Sequence, residues 1–515
     1  MKLYNRDWLA TASIAYLALP VVLFVSTWLR VEIALVCLIA LVVAVINWGQ
    51  LKQNAAVISP INCLLLSVLA LSWVLFCGIG EFNFQPGDYD KHNLMFYDLI
   101  THAWPIVYQN ADYQHPVLCY YLAYYLPTAA LAKVMGGVEA ARYYSLMWGW
   151  LGVWLSFMWV FRLTGQRSVW IVVAFMLISG LDLVSNALLF IKYWYLQGDV
   201  KTLSTIAKEQ FLPSYLASMR LEDRLITHRL MFVSHFTDLQ WVPQHALGGW
   251  VGGSILIDEL VNRKRGAFIG FVLALLMLWS PFVVVGFLPI ALFALIRYPH
   301  NTLSVANLFG SITLMVMTLY FKCHLPQQYQ ARMLFDLFTG PWDWIRYLYF
   351  IVVEVVLIAS LLVWIDRRHQ LLQPWRPILW ISVVSLVVAT WIVMGRFNDF
   401  SMRVSIAGSY MLYMVILWVL QQIYQQRLRS LPVKIFVICC LISTYEPVRQ
   451  IAWTIFGTKK EPGLEKRHIA TATQALHGGP DVSRFREVVA GWNISIQYLG
   501  TRDSIFGKYL LKNNN

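Results

Sequence analysis

The sequence predicts an all-α polytopic membrane protein, and three observations carry that prediction. Of the 515 residues, 59% are hydrophobic and only 13% charged, where soluble globular chains carry roughly 25% charged residues. Apolar runs of about 20 residues, the length that crosses a bilayer as a helix, recur along most of the chain. The net charge of +13 sits in short basic clusters between those runs. That placement suits cytoplasmic loops and anionic headgroups, and argues against nucleic acid as a partner. A soluble chain of this length would normally divide into several domains, whereas in a bilayer one large helical domain suffices.

Taken in order, MKLYNRD precedes a first apolar run that no small-residue cleavage site follows, so it reads as a retained helix rather than a signal peptide. Clear spanning segments are 8–29, 31–48, 60–79, 116–135, 143–162, 303–320, 344–364, 377–395, 404–424 and 433–448. Residues 168–196 are broken by Gly180 and Asp182, which suggests two short crossings. Residues 247–262 are short and glycine-rich, and 266–296, with Pro281 and Pro289, are long enough for two short helices. Glycine and proline are tolerated inside a membrane where neighbouring helices re-satisfy the backbone. Cys37, Cys63, Cys77, Cys119, Cys439 and Cys440 lie in or beside apolar runs, where thiols act as small hydrophobes, and no cysteine pair has zinc-ligand spacing with histidines.

Basic clusters then orient the chain. Arg263-Lys264-Arg265, Arg367-Arg368 and Arg427/Arg429 belong on the cytoplasmic side. With the N-terminus also inside, the helix-length rule gives roughly 13–15 crossings. Loops 80–115, 197–246, 321–343 and 396–403 then face outward, while Arg162 and Arg167 also fall outside, against the charge rule. A membrane domain occupies 1–448, with a first outer loop at 80–115 and a second at 197–246. A polar extracytoplasmic tail follows at 449–515, with a turn at His477-Gly478-Gly479-Pro480.

The first outer loop concentrates the chemistry. Pro86-Gly87 makes a turn directly after a spanning helix and presents Asp88 and Asp90, with Lys91, His92 and Asn93 next. Leu94, Phe96, Leu99 and Ile100 then alternate with polar residues, the pattern of a helix lying in the membrane interface. A carboxylate held there can take a proton from an acceptor hydroxyl, because water-borne and lipid-borne substrates both reach it. The plainer reading has Asp88 capping the interfacial helix.

A helix end, an acidic residue a few positions on, an interfacial helix and a next segment beginning His115-Pro116-Val117-Leu118-Cys119-Tyr120-Tyr121 resemble the GT-C superfamily of integral-membrane glycosyltransferases. That superfamily includes the protein O-mannosyltransferases and the aminoarabinose transferase of lipid A. The resemblance covers mainly residues 60–200 and the general helix layout. It implies a GT-C-like bundle, a polyprenyl-phosphate sugar donor and a catalytic acid in the first outer loop, here Asp88 or Asp90.

Two further groups are candidates for substrate or lipid-phosphate binding, beside Lys91 and His92. The first, in HFTDLQWVPQHALGGWVGG, contains His235, Asp238, Trp241, Gln244 and His245 ahead of a glycine-rich helix. Tryptophan faces suit a sugar ring or an isoprenoid, and helix N-termini suit anions. A His-Asp-His set can hold a divalent metal, but this spacing matches no recognised motif, so no cofactor is assigned. The second, GRFNDFSMRVS, offers Arg396 and Arg403 for a lipid phosphate, with Asn398 and Asp399 to orient them. Glu354 lies in the middle of an apolar run, where an acid is either functional or paired with a buried polar group.

The reading that follows is a glycosyltransferase of the bacterial inner membrane, active on the outer face. It would transfer a sugar from a polyprenyl-phosphate donor to a glycan, lipid or protein acceptor. A polymerase or ligase of lipid-linked glycans, using loop 197–246, is the alternative within the same chemistry. A secondary transporter or flippase is the alternative outside it, although no internal repeat is visible.

Overall fold

The computed structural model describes residues 7–49, 58–108, 115–165, 168–181, 183–184, 230–325, 331–395, 398–456 and 498–512. Asp182, Arg167, Arg396, most of loop 197–246 and the turn at 477–480 lie outside the described residues. Helices dominate. Among the described residues six are long and apolar enough to cross a membrane, and shorter apolar helices pack among them, which fits a membrane protein.

The helix α1 (Trp8–Trp28) starts on Asp7, whose carboxylate accepts the Ala10 N–H at 3.1 Å, as an aspartate cap should. It is followed by α2 (Val31–Gly49) and α3 (Pro60–Phe76), the latter capped by Ser59. Next come the helix α4 (Tyr89–Thr101), the short strand β1 (Val117–Leu118) and α5 (Leu126–Val134). The long helix α6 (Gly137–Leu163) and the two-turn α7 (Trp170–Leu177) follow.

After residue 230 come α8 (His235–Trp241), α9 (Pro243–Val261), α10 (Ile269–Trp279), α11 (Pro281–Arg297) and α12 (Val305–Phe321). The strand β2 (Arg332–Met333) precedes α13 (Pro341–Ile351), which continues through a π-helical turn, Val352–Val356, into α14 (Leu357–His369). Then follow α15 (Arg376–Ala389), β3 (Ile392–Val393), α16 (Asp399–Gln426), α17 (Leu431–Ser443) and α18 (Tyr445–Phe456). The last described segment contains β4 (Leu499–Gly500).

The expected pair of short helices across 266–296 is present as α10 and α11, divided at Ser280-Pro281. The glycine-rich segment is one continuous 19-residue helix, α9. Its glycines let neighbours approach closely: a Cβ at Gly248 would overlap the Trp279 side chain, and one at Gly252 the Leu276 side chain. Small residues at helix contacts serve this purpose inside membranes. At mid-length the Ser254 hydroxyl of α9 meets the Tyr410 hydroxyl of α16 at 2.6 Å.

One expectation is overturned. Residues 116–135 do not form a spanning helix: the chain there makes β1, a short 3-10 turn and α5. At 1.5 Å per residue, α5 is only about 13 Å long. Its Lys133 ammonium donates to the Ile100 carbonyl (3.0 Å) and to the His102 carbonyl, so α5 stays beside α4 at the same end of the bundle.

The single pass of α6 therefore carries Arg162 to the opposite end. There Arg162 pairs with Asp7 at 2.6 Å, and Arg263 pairs with Asp7 at 3.3 Å and Asp258 at 2.6 Å. Trp170 packs on Tyr424, and His369 bonds Ser430 at 2.9 Å, which brings the ends of α14 and α16 to this region too. Arg162 thus joins the other basic clusters instead of opposing them. The fault lay in counting a crossing that the chain does not make.

Candidate active site

The opposite end gathers α4, β1, the start of α9, the α10–α11 junction, the start of α16 and the last described segment. Antiparallel pairs fasten it: Val117 with Gly500 and Leu118 with Leu499, and Arg332 with Val393 and Met333 with Ile392. Residues 80–108, the described 398–403 turn and the described part of the C-terminal tail therefore share one end.

The approach to α4 is built by a left-handed glycine. Gly78 has φ 83°, and a Cβ there would collide with the Phe84 carbonyl. Gln85 donates to the Gly78 carbonyl at 2.9 Å and accepts from Asn93 at 3.0 Å, tying the turn to α4. Asp88 sits at the helix start but makes no side-chain cap. Its carboxylate pairs instead with Lys91 at 3.2 Å and keeps 40% side-chain exposure, against 11% for Lys91. Partial burial pushes the Asp88 carboxyl up, but the positive charge of Lys91, with Arg403 farther off, outweighs this and holds it below the usual carboxylate range. Burial works against the Lys91 charge, and Asp88 in turn outweighs that and raises its pKa. The pair is ionised at neutral pH. Asp90 lies one residue into α4.

His92 is a strut. Its Nε2 lies 3.2 Å from the Trp241 carbonyl, which can only accept, so Nε2–H donates and Nδ1 accepts from the Tyr125 hydroxyl at 2.5 Å. Burial, reinforced by the Lys91 charge, pushes the imidazole down to about 3, so it stays neutral. The Trp241 ring packs on Trp453 with centroids 6.0 Å apart, leaving its carbonyl as the contact to His92.

Arg403 supplies the other half of the site. Its Nη2 pairs with Asp399 at 2.9 Å, one helical turn back, and its guanidinium lies 5.6 Å from the Phe282 ring centre. The Arg403 Nε is buried with no hydrogen-bond partner. A cavity of about 170 Å³ opens here, lined by Tyr120, Tyr121, Phe282, Phe321, Asp399 and Arg403. Asn398 shapes the turn rather than the cavity: it is buried, adopts the left-handed conformation at φ 54°, and its Oδ1 accepts the Met394 N–H at 3.4 Å. Gly395, at φ 82°, leaves room for the Asp399 carboxylate.

His245 reaches the same cavity wall. Its ring lies 4.7 Å from that of Tyr121, its Nδ1 meets Ser280 at 2.7 Å, and its Nε2 is buried without a partner. Gln244 beside it is buried, with neither amide atom bonded. Such orphaned polar atoms are costly in an apolar interior unless something pairs with them.

His235 does not join this group. It stacks on Phe175 at 4.1 Å and lies near Trp250 and Tyr413, inside an aromatic cage. The His235, Asp238 and His245 set makes no metal site, and among the described residues no three such side chains are spaced to hold one. Glu354 accepts the Leu181 N–H at 3.1 Å, so this acid within a long apolar helix is paired with backbone.

Sequence reading missed Tyr120, Tyr121, Phe282, Phe321 and His324 as cavity residues. The tyrosine pair inside the HPVLCYY stretch and the Ser280-Pro281 break were the available signals. No protein-family model, curated protein or solved structure matches the chain.

Proposed function

We propose that the chain is a membrane glycosyltransferase that moves a sugar from a polyprenyl-phosphate donor to a hydroxyl of a cell-envelope acceptor. Its cavity end would face outward from a bacterial inner membrane. The observation that carries this reading is a half-exposed, ionised carboxylate, Asp88, within electrostatic reach of Arg403, which lines the cavity and keeps an unpartnered Nε. The gathering of Arg162, Arg263–Arg265, Arg367–Arg368 and Arg427/Arg429 at the other end supports the orientation.

In this mechanism the acceptor oxygen attacks the anomeric carbon while Asp88 takes its proton. The bond from that carbon to the phosphate oxygen breaks, and the lipid phosphate leaves with the electron pair. Arg403 stabilises the departing charge, held in place by Asp399. A single displacement inverts the anomeric centre. Lys91 tunes Asp88 and stands near enough to share the phosphate. Gln244 and His245 Nε2 offer bonds for sugar hydroxyls, and His92 keeps α4 and α8 in register.

The test is turnover by the purified full chain against a panel of polyprenyl-phosphate sugars, with D88N and D90N beside the wild type. Transfer that D88N abolishes supports the assignment. Transfer lost only in D90N renames the base. Normal transfer by both variants and by the double variant removes this loop from the mechanism.

A further inference from the structure

A second cluster lies directly behind the cavity wall. Cys119 follows β1 and Cys323 follows α12, and both are fully buried. The β4 segment runs between them: the Cys119 N–H donates to the Tyr498 carbonyl at 2.9 Å, and the Thr501 N–H to the Cys323 carbonyl at 2.7 Å. At Gly500 a Cβ would stand 2.5 Å from the Cys323 sulfur and 3.1 Å from Cys119 Cβ. Glycine at that position leaves the space in which the two side chains approach each other, near enough for each thiol to influence the other electrostatically.

We propose that Cys119 and Cys323 form a native disulfide across Gly500, fastening the β1 segment to the end of α12 with β4 clamped between. The proposal rests on the outward orientation given above, because disulfides form and persist in extracytoplasmic compartments. The oxidant is a disulfide of that compartment. One cysteine thiolate attacks it and releases a first thiol. The second cysteine then attacks the mixed disulfide and releases another. Two cysteine thiols and one partner disulfide thus become one internal disulfide and two partner thiols.

The bond would brace the cavity. Tyr120 and Tyr121 follow Cys119 directly, His324 follows Cys323, and all three line it. A shared metal is the competing use of these sulfurs, since His324 Nδ1 lies 3.4 Å from the Cys119 sulfur. That nitrogen is also 2.9 Å from the Phe321 carbonyl, so it carries hydrogen and is not a free ligand. Burial pushes the Cys119 thiol well above its ordinary range. Exchange needs a thiolate, so the bond forms before β4 closes over it and is afterwards shielded.

The experiment traps thiols in cells expressing the full chain by acid, denatures in SDS and counts maleimide-PEG additions before and after reduction. The wild type should gain two additions on reduction, and C119S and C323S should gain none. No gain in the wild type overturns the disulfide, as does a gain of two that survives in C119S, which puts the bond elsewhere. A cysteine at the exposed Arg332, probed in intact cells with a membrane-impermeant maleimide, reports orientation separately. If R332C is labelled while the pair is reduced, the disulfide falls and the orientation stands. If R332C is protected and the pair reduced, both fall together.

Discussion

The two ends of the bundle use the same residue types to opposite effect. At the basic end Arg162, Arg263 and Arg265 share the carboxylates of Asp7, Asp258 and Glu259, which are buried and answered from within the chain. At the cavity end Asp399 answers one side of Arg403, its Nε has no partner, and Asp88 stays half-open beside Lys91. A closed set of charges can only hold helices together. A set with an unused donor and an accessible carboxylate can also act on something else. The proposed function draws on the polar capacity left over at the cavity end, in Arg403 Nε and the half-exposed Asp88 carboxylate.

The sharpest test of that contrast is D88N. Losing a general base typically costs about 10²–10⁴ in rate, and asparagine keeps the shape while losing the basicity. Sugar transfer should collapse while the melting temperature stays near the wild-type value. A D88N protein that melts like a damaged core would place Asp88 among structural residues and erase the contrast.

At the closed end the balance reverses. Removing one partner of a buried ion pair typically costs about 3–5 kcal/mol, because the other charge is left uncompensated. D7A strips Arg162 and Arg263 of a shared acid and the Ala10 N–H of its cap. Thermal unfolding in detergent should show a loss of that order, with turnover per folded molecule unchanged.

R403A should weaken donor binding by about 1.5–3 kcal/mol, the value of a hydrogen bond to a charged group. The comparison is donor affinity against melting temperature, and the first should move further. Unchanged affinity would shift phosphate recognition to Lys91 or Arg396.

The smallest effect is on pH dependence. Asp88 sits below its ordinary value of about 3.9, so above that range it remains a carboxylate, and its favourable interaction with Lys91 is present until Lys91 itself loses its proton at high pH. On the acidic side both fade as pH falls through the depressed folded value. K91Q removes the nearest positive charge, so the acidic limb of the rate profile should move up in pH. A limb that stays put, or moves down, would mean that Lys91 does not tune the base.

The first outer loop was legible because its features are local. A Pro-Gly turn, adjacent charges and an amphipathic run announce α4 without reference to anything distant. Likewise the Arg403–Asp399 pair is a one-turn spacing that any helix would bring together. His235 lies apart from the cavity group for the complementary reason. Its neighbours in sequence are polar, but its ring is caged by Phe175, Trp250 and Tyr413 from other elements. Hydropathy also could not distinguish 116–135 from a spanning helix, because apolar content is the same whether a segment crosses lipid or packs against protein.

By itself the sequence determined a mostly helical chain with several helices fit to cross a membrane, a helix soon after Pro86-Gly87, and the break between α10 and α11. These follow from composition, period and proline, which act over a few residues. Tertiary structure alone decided that α5 stops short, that Arg162 therefore joins the basic end, and that His245 and Arg403 meet the same cavity wall through Tyr121 and Phe282. It also decided that Gly500 brings Cys119 and Cys323 together. Those outcomes depend on which surfaces meet, and contacts between residues hundreds of positions apart leave no periodic trace in the chain that makes them.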